Sequence, residues 1–167
     1  MVKYTLSRRE ALAGAIAASL MPNFVAAEEY IDLEWEDLLP QDQSSIPNLL
    51  QDLINHDEPA LSSQQPASAG VRTDWNGMIV RLPGFIVPIE HKGTGVSAFI
   101  LVPYVGACVH VPPPPANQLV FVTTQVPYES KGLFEPVNVI GMFGTATTST
   151  QLAEIGYALS ADIIEPY

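Results

Sequence analysis

The chain has 167 residues, 18 Asp/Glu against 7 Lys/Arg for a net charge of −11, and 47% hydrophobic residues. Such a field repels nucleic acid and anionic lipid headgroups, so neither is expected as a partner, and this much apolar content excludes a disordered chain. With one cysteine there is no internal disulfide, which leaves Cys108 buried, liganded or paired with another chain.

Residues 1–27 read as a cleavable export signal. A basic stretch with Lys3, Arg8 and Arg9 precedes an Ala/Gly-rich apolar run from Ala11 to Met21 and the small residues of Val25-Ala26-Ala27. That run is too short to span a membrane comfortably, and no cysteine stands at the cleavage point, so no lipid tether or stable membrane anchor is expected. Ser7-Arg8-Arg9 followed by Leu12 matches the twin-arginine pattern, with Ala11 in place of the usual aromatic residue. A Sec signal that carries two arginines is the alternative. Both routes lead to the periplasm. Without the signal, 4 Lys/Arg stand against 17 Asp/Glu, a net of −13 that favours cationic partners, including metal ions.

Residues 28–70 form an acidic helical segment and linker. From Glu28 to Glu58 there are ten acidic residues and no Lys or Arg. Leu49, Leu50, Leu53 and Ile54 follow Pro47 at helical spacing and end at Asn55-His56-Asp57-Glu58-Pro59, which predicts an amphipathic helix over 47–56. Leu38-Leu39-Pro40 closes a shorter helical turn before it. LSSQQPASAG at 61–70 is small and polar and reads as a flexible connection.

From residue 71 to 167 the character is β. Runs at 78–90, 96–104, 118–126, 136–144 and 155–167 are short, rich in Val, Ile, Phe and Tyr, and separated by Gly, Pro, Thr and Asn. Pro83-Gly84 inside the first run predicts a bulge or bend. Five strands with a bent first one predict a mainly β fold, a small OB-like Greek-key barrel with a short N-terminal helical extension. A helical turn fits 145–154. No serine lies in a G-x-S-x-G elbow and no phosphate-binding glycine loop is present, which argues against a serine hydrolase or nucleotide enzyme. Tyr104, Trp35, Trp75 and Phe99 lack the spacing of a nucleic-acid platform and read as core.

The block GACVHVPPPPANQ, residues 106–118, carries the candidate chemistry. If Gly106 to Val111 is extended, Cys108 and His110 share a face and offer sulfur and nitrogen to zinc or copper. Two ligands do not complete a metal site, and His56 and His91 are distant in sequence. The same pair fits a thiol-dependent enzyme in which His110 activates Cys108. The reading that composition alone favours, ahead of metal binding, makes Cys108 a small core residue and His110 a hydrogen-bonded rim residue. Pro112, Pro113, Pro114 and Pro115 form a stiff polyproline ridge able to brace a loop or dock a partner, and Asn117 and Gln118 are polar groups suited to tie that loop to the barrel.

The succession WEDLLP at 35–40, RLPGFIVPIE at 81–90, FILVPY at 99–104 and the block at 106–118 resembles the bacterial domain of unknown function 3299. The likeness covers most of the chain beyond residue 27. It implies an exported protein without established enzymatic activity, encoded near ABC permeases of the lipoprotein-export type and in metal-responsive envelope clusters. On that resemblance the leading expectation is a periplasmic accessory that binds or passes on zinc or copper at Cys108 and His110. A non-catalytic module docking an envelope ABC transporter or a sister subunit through the proline ridge is the second expectation, and a thiol-dependent enzyme the third.

Overall fold

The structure is a computed structural model that describes residues 30–40, 65–108 and 113–167. The export signal expected at 1–27, the helix predicted at 47–56, His110 and Pro112 lie outside the described residues. A two-residue strand β1 (Ile31–Asp32) precedes five long ones: β2 (Ile79–Lys92), β3 (Gly95–Val102), β4 (Val120–Tyr128), β5 (Pro136–Ser149) and β6 (Glu154–Pro166). Their order, β2-β3-β4-β6-β5 with β5 returning to β2, closes a barrel. β4 and β6 run parallel and the other barrel neighbours antiparallel, which is the Greek-key connectivity of an OB-like barrel. The fold class expected from the strand pattern is the one found.

Alternation explains where the core sits. In β3, Phe99 and Leu101 point into the barrel with Val80, Leu82, Val122, Val139, Phe143, Tyr157 and Leu159. Ile100 and Val102 point the other way, into a second cluster with Val87, Ala107, Leu119 and Ile155. Both faces of β3 are therefore buried, because the segment after it folds back over the barrel wall. Each fully buried Leu, Ile or Phe contributes about 1.5–3 kcal/mol relative to exposure.

Three local expectations change. Pro83 and Gly84 pair with Asn138 and Val137 in unbroken register, so no bulge lies there. β2 instead changes neighbours at Phe85, which faces Pro136 on one side and Val102 on the other, and its register shifts come between Pro88 and His91. Gly84 serves the crossing: a Cβ there would stand 2.7 Å from Leu101 Cγ. The helical turn predicted in 145–154 is strand as far as Ser149, followed by a tight turn in which Thr150 Oγ1 accepts the N–H groups of Leu152 and Ala153. The β-branched run Thr147-Thr148 suits the ladder better than a helix. Of the N-terminal helical extension, the described part is one 3-10 turn, Trp35–Leu38, closed by the Glu34 N–H bonding to Asp37.

Buried and half-buried side chains pin the chain preceding the barrel. The Tyr157 hydroxyl donates to Leu38 O at 2.8 Å and accepts the Arg72 N–H at 2.7 Å. Arg72 pairs with Asp74, donates to Asp37 O and stacks 4.4 Å from the Trp75 ring centre. Gln65 Nε2 donates to Pro114 O and Glu154 O, while its Oε1 accepts the Glu154 N–H. The connection read as flexible is thus anchored from Gln65 onward. No helix among the described residues is long and apolar enough to cross a membrane.

Candidate functional site

The segment joining β3 to β4 does not run extended through Cys108. Gly106 has φ of 96° and Cys108 φ of 65°, both left-handed, so the period-two argument that set Cys108 and His110 on one face fails at Cys108. Cys108 is half-buried against the second cluster beside Val102, Ala107 and Leu119. Burial pushes its thiol up to about 11, and burial followed by the neighbouring Cys108 charge raises Tyr104. A thiol held protonated is a poor nucleophile and must lose its proton before it binds a metal. Among the described residues no three of His, Cys, Asp or Glu gather into a metal-ligand group.

The polyproline run is not a free ridge in its described part. Pro113 and Pro114 are buried, and Pro115 is half-buried at the start of the 3-10 turn Ala116–Gln118. Polyproline backbone leaves its carbonyls unpaired, and Pro114 O is satisfied by Gln65. Asn117 and Gln118 act as ties, but to the chain preceding the barrel and not, as expected, to the barrel itself. Asn117 is 2% exposed and donates to Gly70 O, and Gln118 Nε2 donates to Trp35 O, both at 3.0 Å. The Asn117 Oδ1 is buried without a partner among the described residues.

Gln118 leads to a groove that the sequence did not disclose. Trp35, Phe85 and Tyr167, with Pro83, Pro103 and Pro136, line a depression of about 240 Å³ where β2 changes neighbours. Trp35 and the backbone of Tyr167 are fixed from behind. The Trp35 indole N–H donates to Pro83 O at 2.8 Å, the Trp35 carbonyl is held by Gln118, and the Tyr167 N–H donates to Pro136 O. Tyr167 is 81% exposed. The exposed carboxylates Glu34 and Glu36 stand on either side of Trp35 in the chain, and no Lys or Arg lines the groove. Such an arrangement offers a largely apolar surface, anchored at Trp35, for a protein segment.

Of the aromatic residues read as core, Phe99 is fully buried, while Trp35 and Trp75 are only partly buried and Tyr104 is partly exposed. The groove draws on five separate stretches of chain, so no local pattern could relate its members. The one available signal was Trp35 at the head of WEDLLP.

The chain matches the family described as protein of unknown function, DUF3299, over residues 35–166. No curated protein matches it. It is similar to the crystal structure of a DUF3299 family protein from Pseudomonas aeruginosa PAO1, at 36% identity and a TM-score of 0.67, over 83% of this chain and 97% of that one. The barrel and the anchored segment before it lie within the matched span, and the chain belongs to the DUF3299 family.

Proposed function

We propose that this protein is an exported accessory of the bacterial envelope that works by holding a partner, an ABC transporter subunit, at the groove of Trp35, Phe85 and Tyr167. The groove carries the reading. The Trp35 ring is held by its bond to Pro83 O, and the Tyr167 backbone by its bond to Pro136 O, before any partner arrives, which lowers the ordering cost of association. The twin-arginine or Sec signal supports delivery to the periplasm, and the acidic surface supports a cationic partner face. In this reading the proline block serves indirectly, through Gln118, which holds Trp35.

The test is a photocrosslinker at Tyr167 in the native bacterium, with the captured band identified. Tyr167→Ala combined with Trp35→Phe should reduce co-purification of the transporter subunit at least about tenfold, as loss of a central aromatic anchor does. Undiminished co-purification from a folded variant would overturn the reading.

Metal binding at Cys108 and His110 is the second proposal, favoured by the half-exposed position of Cys108 in a loop, not in the sealed barrel. Zinc or copper near one equivalent in purified protein, lost in both Cys108→Ser and His110→Ala, is the expected elemental analysis. Metal content unchanged in either variant would count against it. Because burial holds the thiol protonated, uptake should slow as pH falls.

A further inference from the structure

β4 and β6 lie side by side only as far as the pair Thr124 and Ala161. They part for two local reasons. In β4 the residues from Thr124 to Pro127 stand opposite the single Ser97 of β3, between the pairs Ala98 with Thr123 and Val96 with Tyr128. Pro127 brings no N–H to close that bulge. In β6, Asp162 is the extra residue between the pairs Ala161 with Gly141 and Ile163 with Ile140.

The strands leave a cleft of about 460 Å³ with Val126, Pro127, Ile163 and Ile164 among its lining and the carboxylates of Glu129 and Asp162 beside them. Val126 is 79% exposed and Ile163 42%, so the apolar residues are open to a visitor. Past Ala161, β6 keeps β5 along one edge, and the other edge has no ladder partner among the described residues. Glu165 adds a further acid along β6, and no Lys or Arg lines the cleft. Bulges and charges usually blunt a strand edge. Here they stand around an uncovered apolar floor.

We infer that this cleft takes an extended segment of a partner protein, with Lys or Arg alternating with branched aliphatic residues, laid along the free edge of β6. Backbone groups of β6 supply hydrogen bonds, Val126 and Ile163 meet the aliphatic side chains, and Glu129 and Asp162 face the cations. Charge decides against the alternatives: the chain's own net charge of −11 opposes a second copy, and anionic lipid is repelled. The cleft shares no lining residue with the Trp35 groove, so the two surfaces can be tested separately.

The experiment titrates a synthetic peptide of alternating Lys and Val into the whole chain and follows its backbone amide resonances. A peptide of alternating Glu and Val is the control. Saturable shifts centred on 126–129 and 162–164 are expected for the Lys peptide only. They should weaken as salt is added, and affinity should drop by about tenfold when Glu129→Lys and Asp162→Lys are combined at these exposed positions. Tyr167→Ala should leave this binding intact while it weakens capture at the groove. Equal binding of both peptides, shifts centred elsewhere, or affinity unchanged by the charge reversals would overturn the inference. Self-association of the free chain in sedimentation, with shifts at the same residues, would replace the partner segment by a second copy.

Discussion

Shortening Phe143 to alanine should destabilise the protein by about 3–5 kcal/mol and lower Tm by roughly 10–20 °C. Phe143 lies on β5 inside the barrel, buried, with its ring centre 5.1 Å from that of Tyr157 on β6. The hole left behind cannot collapse easily. β5 and β6 are held at close distance by Gly141, where even a Cβ would overlap the backbone of Ser160 and Ala161. The loss should also loosen Tyr157, whose hydroxyl holds Leu38 and Arg72. Thermal and urea unfolding check this, and a change under about 1 kcal/mol would contradict a barrel packed in this way.

Replacing Glu135 by glutamine should cost about 1–3 kcal/mol and change the response to pH at both ends of the scale. Glu135 is 8% exposed. Its carboxylate accepts the Tyr128 and Ser130 hydroxyls and the Lys131 N–H, closing the loop between β4 and β5. Burial pulls its pKa up, but the Lys131, Tyr128 and Ser130 hydrogen bonds together outweigh burial, and the carboxyl lies below its ordinary value. Its stabilisation is therefore present above the ordinary glutamate pKa and is lost as pH falls through the lower folded value.

Tyr128 moves in the opposite sense. Burial first, then donation to the Glu135 carboxylate and its charge, pushes the phenol up to about 12. That contribution is present below the ordinary tyrosine value and is lost as pH rises through the folded one. In Glu135→Gln the acid limb should flatten, and the Tyr128 phenolate should appear at lower pH in an ultraviolet titration. A wild-type acid limb in the variant would remove Glu135 from the loop's stability.

Among the parts of this protein that could be read from its residues, the five strands are the clearest. Val120 to Val122 and Phe99 to Val102 are unbroken runs of β-branched, aromatic and other apolar residues, as a strand buried on both faces requires, and turns rich in Gly, Pro and Thr separate the runs. The polar ends of the proline block were also legible, since Asn117 and Gln118 do tie a turn down. Of the bulge or bend expected at Pro83-Gly84, the bulge is absent, because a glycine serves a close strand crossing as well as a bulge. The difference lies in Leu101, on another strand. Cys108 misled because a left-handed φ in a non-glycine residue leaves no mark on the side-chain pattern.

Chain order alone determined the acidity and the five β runs, and it carries the expectation of an export signal at residues 1–27, because charge count, apolar run length, β-rich composition and turn punctuation are local properties. Tertiary structure alone decided where surfaces open. The Trp35 groove joins residues 35, 85 and 167 where β2 changes neighbours, and the β4–β6 cleft exists because bulges on two neighbouring strands far apart in sequence fall at the same height. Neither depends on any one stretch of sequence: each is set by register between strands, which long-range packing fixes.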